Sequence, residues 1–296
     1  MKKNNLITVV MCAYNNERTI KRAIQSVINQ DYPFWKLKII LSKSTDKTLE
    51  ICQLFNDTRI QIISKSEPQS WTKSSYEGLM ISNSKYFMWL DPDDFIDKNW
   101  FSTHISNLEN DEICASFGLL KLSNSAGKDF ADNPSNLRKF NFINSEFKLK
   151  RITFGILLPE SFGLVNLLYS VWRTEQLKEC INWDFNEKNL DYDIDFLLSS
   201  LWKYRIKSDA DTCIVREVRG YKFDKKLNFY FFEAYRKISY VEFIREILIT
   251  KPNQNRIRKF KKGLPTGTQI WIEILIFLRF LLSIFSPILI RVLIRL

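Results

Sequence analysis

Residues 6–31 read L-I-T-V-V-M-C-A-Y-N-N-E-R-T-I-K-R-A-I-Q-S-V-I-N-Q-D, and the fold class follows from their two periodicities. Leu6–Cys12 is an unbroken apolar run of strand length. Such a run, without polar alternation, suits a strand buried on both faces. Glu17–Asn29 then places Ile20, Ala23, Ile24, Val27 and Ile28 at helical spacing, with Asn15 or Asn16 available as cap. The same alternation continues. Asp31-Tyr32-Pro33 is a turn and Leu37–Leu41 a second strand. A helix opens at Ser44-Thr45-Asp46 and runs to about Phe55, followed by a strand at Arg59–Ser64. Trp71–Ser82 reads as a helix and Tyr86–Leu90 as a fourth strand. Strict alternation predicts an α/β fold with a mainly parallel sheet covered by helices on both faces. Ligands then bind beyond the carboxyl ends of the strands, where Asn15, Ser42 and Asp91 fall.

Composition narrows the class. An apolar share of 45% with 14% aromatics, in 296 residues, supplies a real core and excludes a disordered chain. Cys12, Cys52, Cys114, Cys180 and Cys213 are scattered, odd in number and without a C-x-x-C, which predicts reduced thiols in a cytosolic setting. The basic start and its short apolar run end at Tyr14-Asn15-Asn16, too early for a signal core, so the run is read as the first strand. One histidine, His104, and scattered cysteines argue against zinc. The net charge of +11 is uneven: residues 1–214 hold 27 basic and 27 acidic side chains, and residues 215–296 hold 17 and 6. A polyanionic partner is therefore expected for the tail alone.

The fourth strand runs into L-D-P-D-D-F-I-D, residues 90–97. Carboxylates this close repel unless a cation or water lies among them. One reading is a helix start, with Asp91 or Asp93 capping and Asp94 or Asp97 offsetting the dipole. An EF-hand fails, because Ile96 stands where Gly is needed and Ser102 where Glu is needed. A phosphatase-like D-x-D would make Asp91 a nucleophile but wants Thr or Val at Phe95. The remaining reading is a hard cation, Mg²⁺ or Mn²⁺, held by one or two carboxylates plus substrate phosphates.

Four segments then carry a resemblance: I-T-V-V-M-C-A-Y-N-N-E, R-A-I-Q-S-V-I-N-Q-D-Y-P, S-T-D-K-T and F-M-W-L-D-P-D-D. In order and spacing they resemble the nucleotide-binding half of family-two glycosyltransferases of GT-A fold. S-V-W-R-T-E-Q-L from Ser170, and Leu190-Asp191-Tyr192-Asp193 heading a helix, are similar to that family's acceptor half. The resemblance implies a nucleotide-sugar donor pocket drawing on Ala13, Tyr14, Asn15, Glu17, Ser42, Lys73, Asp91 and Arg216. It implies Asp93, with Asp91, as the ligands of Mn²⁺ or Mg²⁺, and Asp191 as general base. Asp193 and Asp195 compete with Asp191 for that role, and Asp191 and Asp195 share a helix face. The implied reaction is an inverting transfer to a hydroxyl of a glycan or lipid-linked acceptor in surface polysaccharide synthesis.

The chain also departs from the family pattern. Where the family commonly reads V-V-D-D-G-S-T-D, this sequence reads I-I-L-S-K-S-T-D, with Leu41 and Ser42 for the aspartates and Lys43 for the glycine. The first of those aspartates usually recognises the base, so its replacement questions a standard uridine donor. It also motivates an alternative reading, a non-catalytic binder of nucleotide sugar or glycan. The Gly-rich segment is reduced to S-W-T-K-S-S-Y-E-G, with Gly78 alone, and Leu190 stands where Glu is common. The Arg-x-His near the end of the acceptor half is not recovered, leaving Arg216 or Arg219 for its work on the diphosphate.

The expected organisation is residues 1–102 for the donor half, 103–215 for the acceptor half and 216–296 for a basic helical region. Ser123–Ser145 is polar, a surface loop or weak hairpin, and Asn228–Ile249 is helix-like. Residues 270–296 are strongly apolar, but their longest charge-free run, Phe280–Ile290, is eleven residues. That is short of the roughly 20 needed to span a bilayer. Glu273, Arg279, Ser283, Ser286, Arg291 and Arg295 gather on one side of a helix, and R-I-R-K-F-K-K precedes it. This pattern predicts an interfacial helix on an anionic membrane surface through residues 251–296, hence a peripheral protein at the cytoplasmic face. Packing of the tail on the domain and an oligomer contact are its rivals; a nucleic-acid partner is not expected.

Overall fold

The computed structural model describes residues 6–123, 131–132, 141–157, 164–181, 192–217 and 264–275. The opening run forms β1 (Ile7–Ala13), buried at every position but one. The helix after it, α1 (Ile20–Ile28), buries Ile20, Ala23, Ile24 and Val27 against the sheet. Its expected cap differs. The Asn16 side chain accepts from the Tyr14 amide, and Thr19, at the N-cap of α1, makes no side-chain cap bond. The next elements follow in the predicted order: β2 (Trp35–Leu41), α2 (Thr48–Gln53), β3 (Ile60–Ser64), α3 (Trp71–Met80) and β4 (Tyr86–Trp89). Alongside Gly78 there is no room for a Cβ, which would lie 2.5 Å from the Val10 Cγ1, so this glycine lets α3 sit close on β1.

β1, β2, β3 and β4 pair in parallel, with β1 at the centre of the group. Ala13 is the register partner of Leu41, and Val10 that of Trp89. The ends of β1, β2 and β4 therefore open on the same edge, and residues 14–17, 42–48 and 91–94 meet there. This is the edge at which alternating α/β sheets bind ligands.

Further along the chain the sheet becomes mixed. β5 (Phe95–Ile96) and α4 (Trp100–Asn107) precede β6 (Ile113–Ser123), which pairs with the short β7 (Ala131–Asp132). That pairing makes a hairpin of part of the polar stretch; the rest of it lies outside the described residues. α5 (Lys148–Leu157), β8 (Val171–Arg173), α6 (Thr174–Cys180), α7 (Tyr192–Lys203) and β9 (Arg205–Glu217) complete the order. The strand order is β3-β2-β1-β4-β8-β6-β9-β5. β8 runs antiparallel to β4, β9 parallel to β6, and β5 antiparallel to β9.

A tryptophan-rich seam joins the halves. Phe196 of α7 packs edge-on to Trp89 and Trp172, at centroid distances of 6.2 and 5.8 Å. His104 is a core residue, bonded to Ser116 at 2.9 Å and Thr212 at 3.1 Å, and burial pushes its pKa down to about 3. The five cysteines are free, and four of them are buried.

A helix over residues 266–275 is the described part of the tail. It docks on the domain: Ile272 and Leu275 are buried, and the Trp271 indole donates to Thr153 Oγ1 of α5 at 3.0 Å. The first turns of the apolar tail thus use one face for packing, as the rival reading held. Ile270, Trp271 and Ile274 are left exposed. No described helix is long and apolar enough to cross a membrane. Residues 218–263 and 276–296, which carry the helix-like segment, the basic run and most of the interfacial pattern, lie outside the described residues.

Candidate active site

The first wall of the site is a pair of interlocked loops. Tyr14 is 54% exposed at the lip. Asn15 follows with φ of 53°, a left-handed conformation that asparagine tolerates better than most residues. Its amide donates to Ser44 Oγ at 3.1 Å, and its Oδ1 accepts from the Thr45 amide at 2.8 Å. The Glu17 carboxylate accepts from the Lys47 amide at 3.1 Å, while Asp46 accepts from the Glu17 amide at 3.0 Å. Burial opposes charge on Asp46, but bonds from the Thr48 hydroxyl and from the Glu17 and Thr48 amides outweigh it and hold the carboxyl below the usual range. The loops after β1 and β2 therefore form one braced unit.

The floor of this wall is apolar where the family pattern has a carboxylate. Leu41 is 3% exposed and belongs to the core. The Ser42 hydroxyl is buried and accepts from the Gln69 amide at 2.8 Å, so it braces the approach to α3. Lys73 is exposed on α3, within the electrostatic reach of Glu77.

The second wall is the acidic turn. Asp91, Asp93 and Asp94 each offer an oxygen within 4.8 Å of the others, two half-buried and Asp94 buried. Trp71 Nε1 donates to Asp91 Oδ1 at 3.0 Å, and the Tyr169 hydroxyl donates to Asp91 Oδ2. Asp94 Oδ1 accepts from the Glu217 amide at 3.2 Å. Its other oxygen lies 3.4 Å from Arg216 Nε, near enough for charge attraction, yet makes no hydrogen bond. Burial first, and then the neighbouring carboxylates, raise the pKa of Asp91 and of Asp94, the latter well above the ordinary value. Such a cluster is poised for a cation: adding one positive charge would satisfy the buried oxygen and relieve the mutual repulsion.

Helix capping is not what these carboxylates do. Asp97 Oδ2 accepts from the Cys213 amide at 2.8 Å, and Asp97 N donates to the Cys213 carbonyl, so Asp97 stitches the turn to β9. Asp94 grips the end of the same strand. The N-cap of α4 is Asn99, without a side-chain bond. Arg22 braces the turn from behind, donating to the Asp93 carbonyl and to Glu217 Oε2, both at 2.8 Å.

Of the predicted site residues, the structure brings together Asp91, Asp93 and Arg216, with Ala13 at the end of β1 and Tyr14, Asn15, Glu17 and Ser42 on the loops after β1 and β2. Asp191 lies outside the described residues. Asp193 and Asp195 fall in the first turns of α7, and their side chains are likewise outside them. Residue-level reading missed Arg22, Trp71, Tyr169 and Glu217. Trp71 opens α3 and Tyr169 ends a 3₁₀ turn just before S-V-W-R. Neither position carries a motif, so nothing in the sequence pointed to them.

Residues 8–157 match the family described as Glycosyl transferase family 2. The chain belongs to that family. Among its relatives, an uncharacterized glycosyltransferase of Haemophilus influenzae is 37% identical over 127 residues, 41% of this chain and 39% of that protein. An Escherichia coli protein named UDP-Glc:alpha-D-GlcNAc-diphosphoundecaprenol beta-1,3-glucosyltransferase WfgD is 27% identical over 40% of this chain and 47% of its own length. The chain thus spans less than half the length of these curated relatives. Among solved structures, S. aureus TarS 1-349 in complex with UDP-GlcNAc aligns with a TM-score of 0.56 at 18% identity, covering 90% of this chain and 70% of that one. The mannosyltransferase PcManGT from Pyrobaculum calidifontis, in complex with GDP-Man and Mn²⁺, aligns at 0.59 and 13% identity, covering 95% and 72%. At these identities the likeness shows the fold, which is GT-A.

Proposed function

We propose that this family member transfers a sugar from a nucleotide-sugar donor to a hydroxyl of a glycan or lipid-linked acceptor in surface polysaccharide synthesis, with inversion and with a divalent cation. The observation that carries this reading is the trio Asp91, Asp93 and Asp94 at the tip of β4, facing the braced loops after β1 and β2. The residues fit a hard cation: three carboxylate oxygens lie within one small volume, and a buried Asp94 oxygen makes no hydrogen bond. Asp93 and Asp91 would hold Mn²⁺ or Mg²⁺, whose charge neutralises a diphosphate leaving group.

The protein's own groups divide the remaining work. Asp91 is oriented by Trp71 and Tyr169, so its free lone pairs point in fixed directions. Arg216, whose guanidinium lies 5.2 Å from the Tyr169 ring centroid, offers a second positive group beside the turn for the diphosphate. The reading assigns Ala13, Tyr14, Asn15 and Glu17 to the base end and the exposed Lys73 of α3 to the donor. Asp191 takes the proton from the acceptor hydroxyl as it attacks, with Asp193 as its competitor. The reading places the protein at the cytoplasmic membrane face, held by residues 251–296.

Donor binding followed calorimetrically with Mn²⁺, Mg²⁺ and EDTA tests the site. Binding that needs the metal and is lost in Asp93→Ala supports it; identical binding in all conditions refutes the metal role. Turnover in Asp191→Asn at the wild-type rate would remove that residue as base, and the anomeric coupling in an NMR spectrum of the product decides inversion. A second reading, a non-catalytic binder, draws on buried Leu41 and on Ser42, whose hydroxyl braces Gln69. It predicts donor binding with neither transfer nor hydrolysis. Flotation of the full chain against a truncation after Gly263 tests the membrane contact.

A further inference from the structure

Beside the acidic turn, α1 and β5 border an open groove of about 570 Å³. Arg18 just before α1, Lys21 and Arg22 within it and Lys98 after β5 line it, with exposed Gln25 and half-buried Phe95. Among the described residues no carboxylate lines it. Three of these cations, Arg18, Lys21 and Lys98, are exposed, and a bound anion would offset their mutual repulsion. The fourth, Arg22, is already paired with Glu217 at 2.8 Å.

The geometry points to a second anion site in this groove, one that takes a phosphate or diphosphate group separate from the donor's. Arginine presents a planar fork matched to phosphate oxygens, and lysines add point charges. Exposed Gln25 supplies an amide for a sugar or glycerol hydroxyl next to the phosphate. Arg22 forms the inner wall, its guanidinium 4.6 Å from the Phe95 ring centroid. The same guanidinium holds the Asp93 carbonyl and Glu217. An anion in the groove therefore competes for the group that braces the acidic turn, which links the two sites through one side chain.

The test is calorimetric titration of the full chain with inorganic pyrophosphate in EDTA at low salt. In EDTA the metal-dependent route into the donor site is closed. Wild type and Asp93→Ala are expected to bind alike, and Arg18→Gln/Lys21→Gln/Lys98→Gln to bind at least about tenfold more weakly, since charge-assisted contacts are lost. Equal binding in the triple variant, or no binding below about 10 mM in wild type, overturns the site. So would clearly tighter binding in Asp93→Ala than in wild type, because the pyrophosphate would then sit beside the acidic turn, where losing a carboxylate removes a repulsion. Lys98→Glu, a single exposed change, must weaken binding in the same direction and guards against a misfolded triple variant. Flotation on phosphatidylglycerol vesicles then assigns the source. Weaker flotation of the triple variant places the phosphate on lipid headgroups, and unchanged flotation places it on a soluble or glycan-borne phosphate.

Discussion

Replacing Asp94 by Asn should make the metal-free protein more stable at neutral pH, against the usual direction for a buried site. Asp94 is 2% exposed, and its oxygens lie within 4.8 Å of those of Asp91 and Asp93. With an effective dielectric constant of about 20, each such pair repels by about 3.5 kcal/mol, so the two together cost about 7 kcal/mol. Arg216, at 3.4 Å, returns about 5 kcal/mol at most, and less once its half-exposed side chain is screened. The net relief is about 2 kcal/mol, and asparagine keeps the acceptor for the Glu217 amide. The sign with pH follows from the raised pKa of Asp94. The folded state binds this proton more tightly than the unfolded chain does. Its repulsion is thus absent at low pH and grows from about pH 4 upward, through the folded pKa. Asp94→Asn should gain little at pH 4.5 and about 2 kcal/mol at pH 8 in EDTA, roughly 4–8 °C in midpoint. Added Mn²⁺ should then raise the wild-type midpoint more than the variant's. Urea unfolding followed by tryptophan fluorescence reads the difference. A variant less stable than wild type at pH 8, or equally stabilised at both pH values, would refute the reasoning.

Three further outcomes are expected. Tyr169→Phe removes a hydrogen bond to a carboxylate, worth about 1.5–3 kcal/mol, and should weaken Mn²⁺-dependent donor binding and lower the unfolding midpoint by roughly 3–12 °C. Gly118→Ala places a Cβ 2.5 Å from the Thr212 carbonyl and 2.6 Å from Trp100, and should cost about 1–3 kcal/mol or more by urea unfolding. Burial pushes the Cys12 and Cys213 thiols up to about 12, so a thiol-specific reagent should label these cysteines at neutral pH only after unfolding.

The legible part of this protein is the part built from local periodicity. β1, α1, β2, β3, α3 and β4 lie where apolar runs and helical spacing placed them, because each pattern commits a short segment to one buried face. The D-P-D-D turn was visible as carboxylates following a strand. The tail was less legible: an apolar stretch looks the same whether protein or lipid covers it, and Ile272 and Leu275 found protein.

By itself, the sequence determined the fold class, the sheet edge on which residues 14–17, 42–48 and 91–94 lie, and the run of carboxylates that follows β4. Only the tertiary structure decided their partners. β5 pairs with β9 across more than a hundred residues, Phe95 with Val215, and that register delivers Arg216 and Glu217 to the turn. β8 pairs with β4, Phe87 with Trp172, and so brings Tyr169 onto Asp91. Neither meeting has a local signature, because strand pairing is set by the packing of the whole sheet. The same packing turned Asp97 from a candidate cap into a stitch to Cys213, and put Leu41 in the core where the family pattern has a carboxylate.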